Sequence, residues 1–199
     1  MKRWLLLIGA IVVGLLAMLG YNHLRARVTR IELPKGELRW STTRPEGARM
    51  CVPAAFTGIK GEVVGSYRID GKTTNPNNRS MKVSLKGDMF YLSRNWLGDN
   101  GFHQYALVYN SKAMHFRDTD KSMRRALCKD EDGVFILESN YPMTLTTFAY
   151  YCSKRCTNAA YLDMGEYGYG YIKRGWFTRP LYIWAIFTQH KQTNWLYIE

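Results

Sequence analysis

Alternating apolar and polar positions recur along most of the chain and predict an architecture of short β-strands. In residues 62–69 the alternation runs up to Asp70-Gly71, a dipeptide typical of a tight hairpin turn. A second hairpin is predicted where 124–129 and 134–137 flank the polar turn at 130–133. Other short strands are predicted between polar or turn residues, at 37–43, 49–52, 88–93, 105–109, 182–188 and in the tail up to 199.

One segment has helical rather than strand spacing. Pro142 suits the first turn of a helix, because its missing N–H would have no partner there. The apolar residues after it recur at i, i+3, i+4 and i+7 and predict a buried stripe: Leu145, Phe148, Ala149 and Cys152. Strands are predicted before this helix, at 133–138, and after it, at 158–162, and the two should run parallel. The predicted fold class is α+β, with a mixed, mostly antiparallel β-sheet and few helices.

The N-terminal residues predict a membrane helix in addition to that fold. Lys2 and Arg3 precede an uncharged apolar stretch at 4–20, roughly 17 residues, which is at the short end of a membrane span. The alternative is a cleaved signal peptide. Its cleavage site would need small residues at alternate positions, and the end of this stretch matches that pattern poorly. We expect an uncleaved single-pass anchor and juxtamembrane segment at 1–30 and one domain at 31–199.

The net charge of +12 favours anionic partners, such as phosphate esters, polyanionic glycans or lipid headgroups. Because an N-terminal membrane helix is predicted, the membrane is an expected partner and nucleic acid is not. No spacing of His, Cys, Asp or Glu matches a metal-ligand set, so the sequence predicts no metal site and no cofactor.

The cysteines leave two alternatives open. An even number of cysteines suits an oxidising compartment, so we expect the domain to lie outside the cytoplasm, periplasmic or extracellular. Either a Cys152–Cys156 disulfide closes the end of the predicted helix, which leaves Cys51 and Cys128 as the other pair, or all four are buried thiols. No nucleophilic cysteine is predicted, because the end of a helix at Cys156 is its negative pole.

Asp163 follows the predicted strand 158–162 and begins a glycine-rich turn. Ligands of open sheets bind at the carboxyl ends of strands, and burying a carboxylate there costs free energy unless it is used. Asp163 is therefore either a general acid/base or sugar-binding carboxylate, or a cap of its own turn. Glu166 is either the second carboxylate of glycosidic chemistry or an exposed turn residue. Near Gly165, Tyr167 begins tyrosine–glycine alternation that either stacks on sugar rings or packs in a strand.

The run Cys156-Thr-Asn158-Ala-Ala-Tyr-Leu-Asp163-Met-Gly165 resembles the C-terminal hallmark of the phosphodiester glycosidase family, in which Asn-Ala, two hydrophobic residues and Asp lead into a Gly/Ser-rich loop. Met123-Arg124-Arg-Ala126-Leu resembles the family's Arg-x-Ala-Ile strand. The segment 51–71 resembles one that ends in Asp-Gly-Lys, and Arg179-Pro180 resembles a closing Arg-Pro. The resemblance spans about residues 48–188 and implies a hydrolase that cleaves a sugar-phosphodiester linkage in an envelope or surface glycan. The predicted N-terminal helix would anchor this hydrolase in the membrane.

The resemblance also implies roles for individual residues. Asp163 would handle protons, and Arg124 would hold the phosphate through its planar guanidinium. Because a strand alternates its faces, one of Arg124 and Arg125 is expected to face solvent. The remaining candidate site residues are Glu138, His103, Glu166, Gly165 and Tyr167. The expected ligand is a carbohydrate or sugar phosphate.

Three segments depart from the family pattern. Pro53-Ala-Ala55 replaces Asn-Ala-Gly, Phe102-His-Gln-Tyr105 replaces Gln-Ser-Gly-Pro, and Met164-Gly165-Glu166 replaces two glycines and a serine. These departures remove polar groups that would line a site. The alternative function is therefore a catalytically degenerate protein that binds a glycan or a lipid headgroup on the same scaffold, and a purely structural module is a third.

Overall fold

The computed structural model describes the following parts of the chain: residues 11, 13–14, 27–76, 81–164, 170–174, 177–181 and 194–199. From residue 27 onward, these ranges form 16 β-strands and one α-helix, α1 (Leu145–Ser153). In chain order the strands are β1 (Val28–Glu32), β2 (Leu38–Ser41), β3 (Met50–Pro53), β4 (Tyr67–Ile69), β5 (Lys72–Thr74), β6 (Lys82–Lys86), β7 (Met89–Ser93), β8 (Asn100–His103), β9 (Ala106–Tyr109), β10 (Lys112–Ala113), β11 (Arg125–Lys129), β12 (Val134–Ser139), β13 (Asn158–Leu162), β14 (Gly170–Arg174), β15 (Phe177–Leu181) and β16 (Trp195–Ile198).

The first sheet has six strands in the order β1-β12-β11-β13-β9-β10, and all its neighbouring pairs are antiparallel. Because β12 and β13 both pair antiparallel with β11, they run in the same direction on either side of it. The predicted parallel orientation of these two strands is confirmed. The sheet brings the ends of β12 and β13 to the same edge, which is the edge at which Asp163 lies.

Helix α1 packs on β9, β10 and β13 of the first sheet. It begins after Thr144, whose side chain accepts a hydrogen bond from the Thr147 N–H, as N-cap residues do. Pro142 therefore precedes the cap instead of standing in the first turn. The predicted buried stripe is confirmed, since all its members face the protein interior: Leu145, Phe148, Ala149 and Cys152.

Two further sheets complete the described fold, with the strand orders β15-β14-β3-β16-β2 and β5-β4-β8-β6-β7. The largest hydrophobic core collects residues from all three sheets, among them Leu127, Leu196 and Phe102. A second core beneath α1 contains Ala126 and Cys128, the neighbours of Leu127 along β11. Both faces of β11 are therefore covered.

The two predicted hairpins are confirmed. β4 and β5 pair across Asp70 and Gly71, whose φ angles of 47° and 77° are those of the mirror-image turn that hairpins favour. β11 and β12 pair across the turn in which the Asp130 N–H donates to the Gly133 carbonyl. The sequence analysis missed β1, β6, β8, β10, β14 and β15, and the predicted strand at 182–188 lies outside the described residues.

The structure does not support the predicted N-terminal membrane helix, and of residues 4–20 it describes only 11, 13 and 14. No helix in the described part of the chain is long and apolar enough to span a membrane. The fold class is corrected accordingly: the described chain is a set of mostly antiparallel β-sheets with one short helix. The prediction relied on hydropathy alone, over a stretch at the lower limit of the length that a span requires. The boundary between 1–30 and 31–199 stays a prediction.

Candidate functional site

Three distant segments meet at the end of β13. The Asp163 N–H donates to the Ala54 carbonyl at 2.9 Å, and the Gln104 Nε2 donates to the same carbonyl at 3.1 Å. The Ala54 carbonyl thus joins the end of β13 to segments 53–55 and 102–105. These are the segments in which the sequence departs from the phosphodiester glycosidase pattern, so the structure brings the altered positions to Asp163.

The Asp163 side chain is buried, with 7% of the residue exposed. Its Oδ2 accepts a hydrogen bond from the Thr57 N–H at 3.2 Å. The bond crosses 106 positions of sequence and fixes the carboxylate against the loop that follows β3. A carboxyl group held in one orientation at a sheet edge is suited to transfer protons or to accept hydrogen bonds from a ligand.

Asn194 is a polar site residue that the sequence analysis missed. It is fully buried, and its Oδ1 accepts hydrogen bonds from the Ala55 N–H at 2.6 Å and from the Trp40 Nε1 at 3.4 Å. Its Nδ2 donates to the Ala55 carbonyl at 3.0 Å and to Thr57 Oγ1 at 3.3 Å. Asn194 therefore holds the loop whose N–H groups include the donor to Asp163. A single asparagine before a short apolar strand carries no spacing signal.

Arg124 faces the side of the first sheet that α1 covers. Its Nε donates to the Met143 carbonyl at 3.0 Å, and its Nη2 donates to Asp118 Oδ2 at 3.0 Å and to the Asp120 carbonyl at 2.7 Å. Its Nη1 lies 3.5 Å from the Tyr161 hydroxyl. The guanidinium therefore anchors the segment before β11 while one edge reaches Tyr161.

Tyr161 connects Arg124 with Asp163. Burial raises the pKa of the Tyr161 hydroxyl above its usual value, the hydrogen bond and charge of Arg124 lower it, and the charge of Asp163 raises it. Both predicted site residues are thus within electrostatic range of one hydroxyl.

Arg125 is fully buried on the opposite face of β11, so the expectation that one of the two arginines faces solvent is wrong. Its Nε donates to Glu138 Oε1 at 2.6 Å, and the two residues are direct cross-strand partners. A Cβ at Gly170 would lie 3.2 Å from Arg125 Nη1 and 2.7 Å from Val52 Cγ1. Glycine is therefore required where the start of β14 passes over this ion pair.

His103 lies beside its cross-strand partner Lys82 in the third sheet. Burial lowers the pKa of the imidazole, and the charge of Lys82 lowers it further. Burial also lowers the pKa of Lys82. The backbone N–H of His103 donates to the Ser66 carbonyl at 2.8 Å. The residue of this segment that reaches the site is Gln104, whose Nε2 donates to the Ala54 carbonyl.

Four aromatic rings form a contiguous group beside Asp163, which we call the aromatic group: Phe56, Tyr105, Phe116 and Tyr161. The Phe56 ring centroid lies 5.2 Å from that of Tyr105 and 5.6 Å from that of Tyr161. Tyr105 is 42% exposed, so one member of the group is open to solvent. Since Phe56 directly precedes Thr57, the group borders the loop that holds the carboxylate.

The three candidates of the glycine-rich turn, Gly165, Glu166 and Tyr167, lie outside the described residues. Tyr171 is described, and it is buried against Cys51 and Trp195 in a small separate cluster. At this position, strand packing is the correct alternative for the tyrosine–glycine alternation.

All four cysteines are buried free thiols, so the second of the two alternatives describes their state. Cys51 lies in a different cluster from Cys128, which excludes the predicted leftover pair in this conformation. Burial raises the pKa of the Cys51 thiol to about 12. No group of three or more His, Cys, Asp or Glu side chains in the described ranges could hold a metal ion.

A solved structure has a similar fold. It is the catalytic domain of zebrafish N-acetylglucosamine-1-phosphodiester alpha-N-acetylglucosaminidase, auto-inhibited by its pro-peptide. The two superpose with a TM-score of 0.54 and 14% sequence identity, over 86% of this chain and 75% of that chain. The chain has a phosphodiester glycosidase-like fold. At this identity the likeness concerns the fold alone.

Neither a family model nor a curated protein matches the chain. The likeness is thus one of structure, and it agrees with the resemblance of the sequence around Asp163. The supported relationship is distant and leaves the chemistry to be argued from the residues of the site.

Proposed function

We propose that the protein is a hydrolase that cleaves a sugar-phosphodiester linkage, with Asp163 as the residue that transfers protons. The observation that carries this proposal is the buried Asp163 carboxylate at the end of β13, held by the Thr57 N–H at 3.2 Å. The phosphodiester glycosidase-like scaffold supports it. A positioned general acid or base contributes about 10²–10⁴-fold to a rate, so one such carboxyl group can account for a large part of the expected catalysis.

Glycosidic chemistry normally uses a second carboxyl group, and the geometry bears on which residue supplies it. Glu138 is bonded to the fully buried Arg125, so we assign it to positioning instead of proton transfer. This leaves Glu166 as the proposed second acid. Arg124 stays the proposed phosphate ligand, through the Nη1 edge that lies 3.5 Å from the Tyr161 hydroxyl.

A turnover assay of the purified full chain tests this function. The substrates are a panel of sugar 1-phosphodiesters, with the matching sugar 1-phosphates and a sugar-free phosphodiester as controls. We expect release of free sugar from the diesters only. Hydrolysis of the sugar-free diester at the same rate would contradict the assignment to a sugar linkage, and binding of a diester without turnover would select the second function below.

The second candidate function is glycan binding without catalysis. It is favoured by the aromatic group, in which Tyr105 is 42% exposed beside the loop that holds Asp163. Exposed aromatic rings bind the apolar faces of sugars, and Tyr105 stands where the glycosidase family has a smaller site residue. Pro53 and Ala55 favour this function too, because they provide no polar side chain.

Replacing Tyr105 with alanine is expected to weaken glycan binding about fivefold, which corresponds to the loss of about 1 kcal/mol of ring contact. Isothermal titration with the panel sugars measures the dissociation constant. Tyr109→Ala is a matched control, because Tyr109 is 40% exposed on β9, outside the aromatic group. Equal losses in both variants would contradict a specific role for Tyr105.

A further inference from the structure

Three thiols meet where the end of α1 lies on the first sheet. Cys152 is in the last turn of α1, Cys156 follows the helix, and Cys128 lies on β11 beneath them. In its protonated form the Cys156 thiol donates to the Cys152 carbonyl at 3.0 Å, and the side chains of all three are linked by hydrogen bonds. All are buried in the same core, whereas Cys51 belongs to another cluster.

Cys156 is the member of this cluster that borders an open cleft. The cleft has a volume of about 350 Å³ and is lined by Cys156 with its chain neighbours, by Ser111 and by the acidic turn at 130–132. Cys128 and Cys152 do not line it. A small molecule in the cleft would therefore meet a single sulfur atom, with two cations and the carboxylates of Asp130, Glu131 and Asp132 around it.

The surroundings of Cys156 favour its thiolate. Hydrogen bonds from Cys128 and Cys152 lower its pKa to about 5, against burial and the charge of Asp130, which raise it. Arg30 lowers it further. Burial raises the pKa values of Cys128 and Cys152, which stay protonated. The sequence analysis considered only the helix terminus, and could not include two thiol donors from elsewhere in the fold.

We propose that Cys156 is a thiol-modification site that reacts with low-molecular-weight disulfides, with Cys128 as its resolving thiol. The Cys156 thiolate attacks one sulfur of the disulfide RSSR, forms a mixed disulfide and releases RS⁻, which takes a proton from solvent. Cys128 then attacks Cys156 Sγ and displaces the second RS⁻, which takes the Cys128 proton. Two protein thiols are oxidised to one disulfide, and RSSR is reduced to two RSH.

Cys128 is assigned as the resolving thiol because it lies in the same buried core as Cys156 and a side-chain hydrogen bond links the two. Cys152 and Cys156 are four residues apart at a helix end, where Cα atoms are about 6 Å apart, near the upper end of disulfide geometry. A Cys128–Cys156 bond would instead join β11 to the segment after α1.

The test uses oxidised glutathione and the native full chain, followed by intact-mass measurement and peptide mapping. We expect the wild-type chain to end with a Cys128–Cys156 disulfide and with Cys51 reduced. Cys128→Ser should stop at one glutathione on Cys156, and Cys156→Ser should take up none. Cys51→Ser is the matched control and should behave as the wild type, because Cys51 is buried in a separate cluster.

Mapping of the wild-type protein decides the proposal even if a variant fails to fold. Four unmodified thiols after incubation would overturn it, and a Cys152–Cys156 bond would overturn the assignment of Cys128. Alkylation of Cys156 by iodoacetamide should vary less than about twofold between about pH 6.5 and 8.5, since an unperturbed thiol titrates near 8.5. A tenfold rise per pH unit would contradict a thiolate. The charged residues nearby are Arg30, Asp130, Glu131, Asp132, Lys154 and Arg155.

Discussion

Replacing Asp163 with asparagine is expected to lower kcat on a sugar phosphodiester by about 10²–10⁴-fold, the usual contribution of a general acid or base. Asparagine has nearly the same shape, and its Oδ1 can still accept the Thr57 N–H, so the loop after β3 keeps its anchor. What the variant loses is the exchangeable proton. KM should change less than kcat, because the interaction belongs to the transition state.

Steady-state kinetics of the full chain, together with urea unfolding, separate this loss from a loss of structure. Asp88→Asn removes an exposed carboxylate in the turn before β7 and should leave kcat unchanged. Activity of Asp163→Asn within twofold of the wild type would remove Asp163 from the chemistry. An unchanged free energy of unfolding combined with a large fall in kcat is the result that supports the assignment.

Replacing Arg125 with methionine is expected to lower the free energy of unfolding by about 3–5 kcal/mol, because it leaves the charge of Glu138 without its buried partner. The Arg125 side chain is 0% exposed and that of Glu138 is 16% exposed, and Arg125 Nε and Glu138 Oε1 are 2.6 Å apart. Water can therefore replace little of the lost interaction. The midpoint of urea unfolding measures the change.

An exposed ion pair provides the control for Arg125. Arg39 is 46% exposed where it contacts Glu37, and Arg39→Met should cost less than about 1 kcal/mol. The double variant Arg125→Met/Glu138→Leu should recover most of the loss, because apolar side chains of similar volume replace buried pairs well. A cost below about 1 kcal/mol for Arg125→Met would contradict a buried, partnered guanidinium.

The local elements of the fold could be predicted from the sequence because their signals are local. The stripe from Leu145 to Cys152 has helical spacing within eight positions, and Asp70-Gly71 sits at the turn that it specifies. The orientation of β12 and β13 followed from the connection between them. In each case the residues that determine the structure are neighbours in the chain.

The faces of β11 could not be predicted in the same way. Alternation distinguishes a buried face from an exposed one, but this strand is central and covered on both faces, so Arg124 and Arg125 are both buried. Which one meets Glu138 depends on the register between β11 and β12. The spacing of apolar residues cannot predict that register when both faces of a strand are apolar.

The polar contacts of the site were also out of reach of the sequence. Asn194 bonds to Ala55 across 139 positions, and Gln104 reaches Ala54 across 50. Each contact joins a side chain to a backbone group, whose chemistry is the same at every residue. The arrangement of the three sheets in the folded protein determines which peptide group each of these side chains contacts.

The place of β16 has a consequence for how the chain acquires its structure. β16 lies between β2 and β3, so its sheet stays divided until residues 195–198 have left the ribosome. Pairings over such sequence separations form slowly, because the closing of long loops precedes the contacts that stabilise them. Asn194 enters the loop beside Asp163 with the same strand. Assembly of the carboxylate's surroundings is therefore expected to follow the synthesis of every other strand of this sheet.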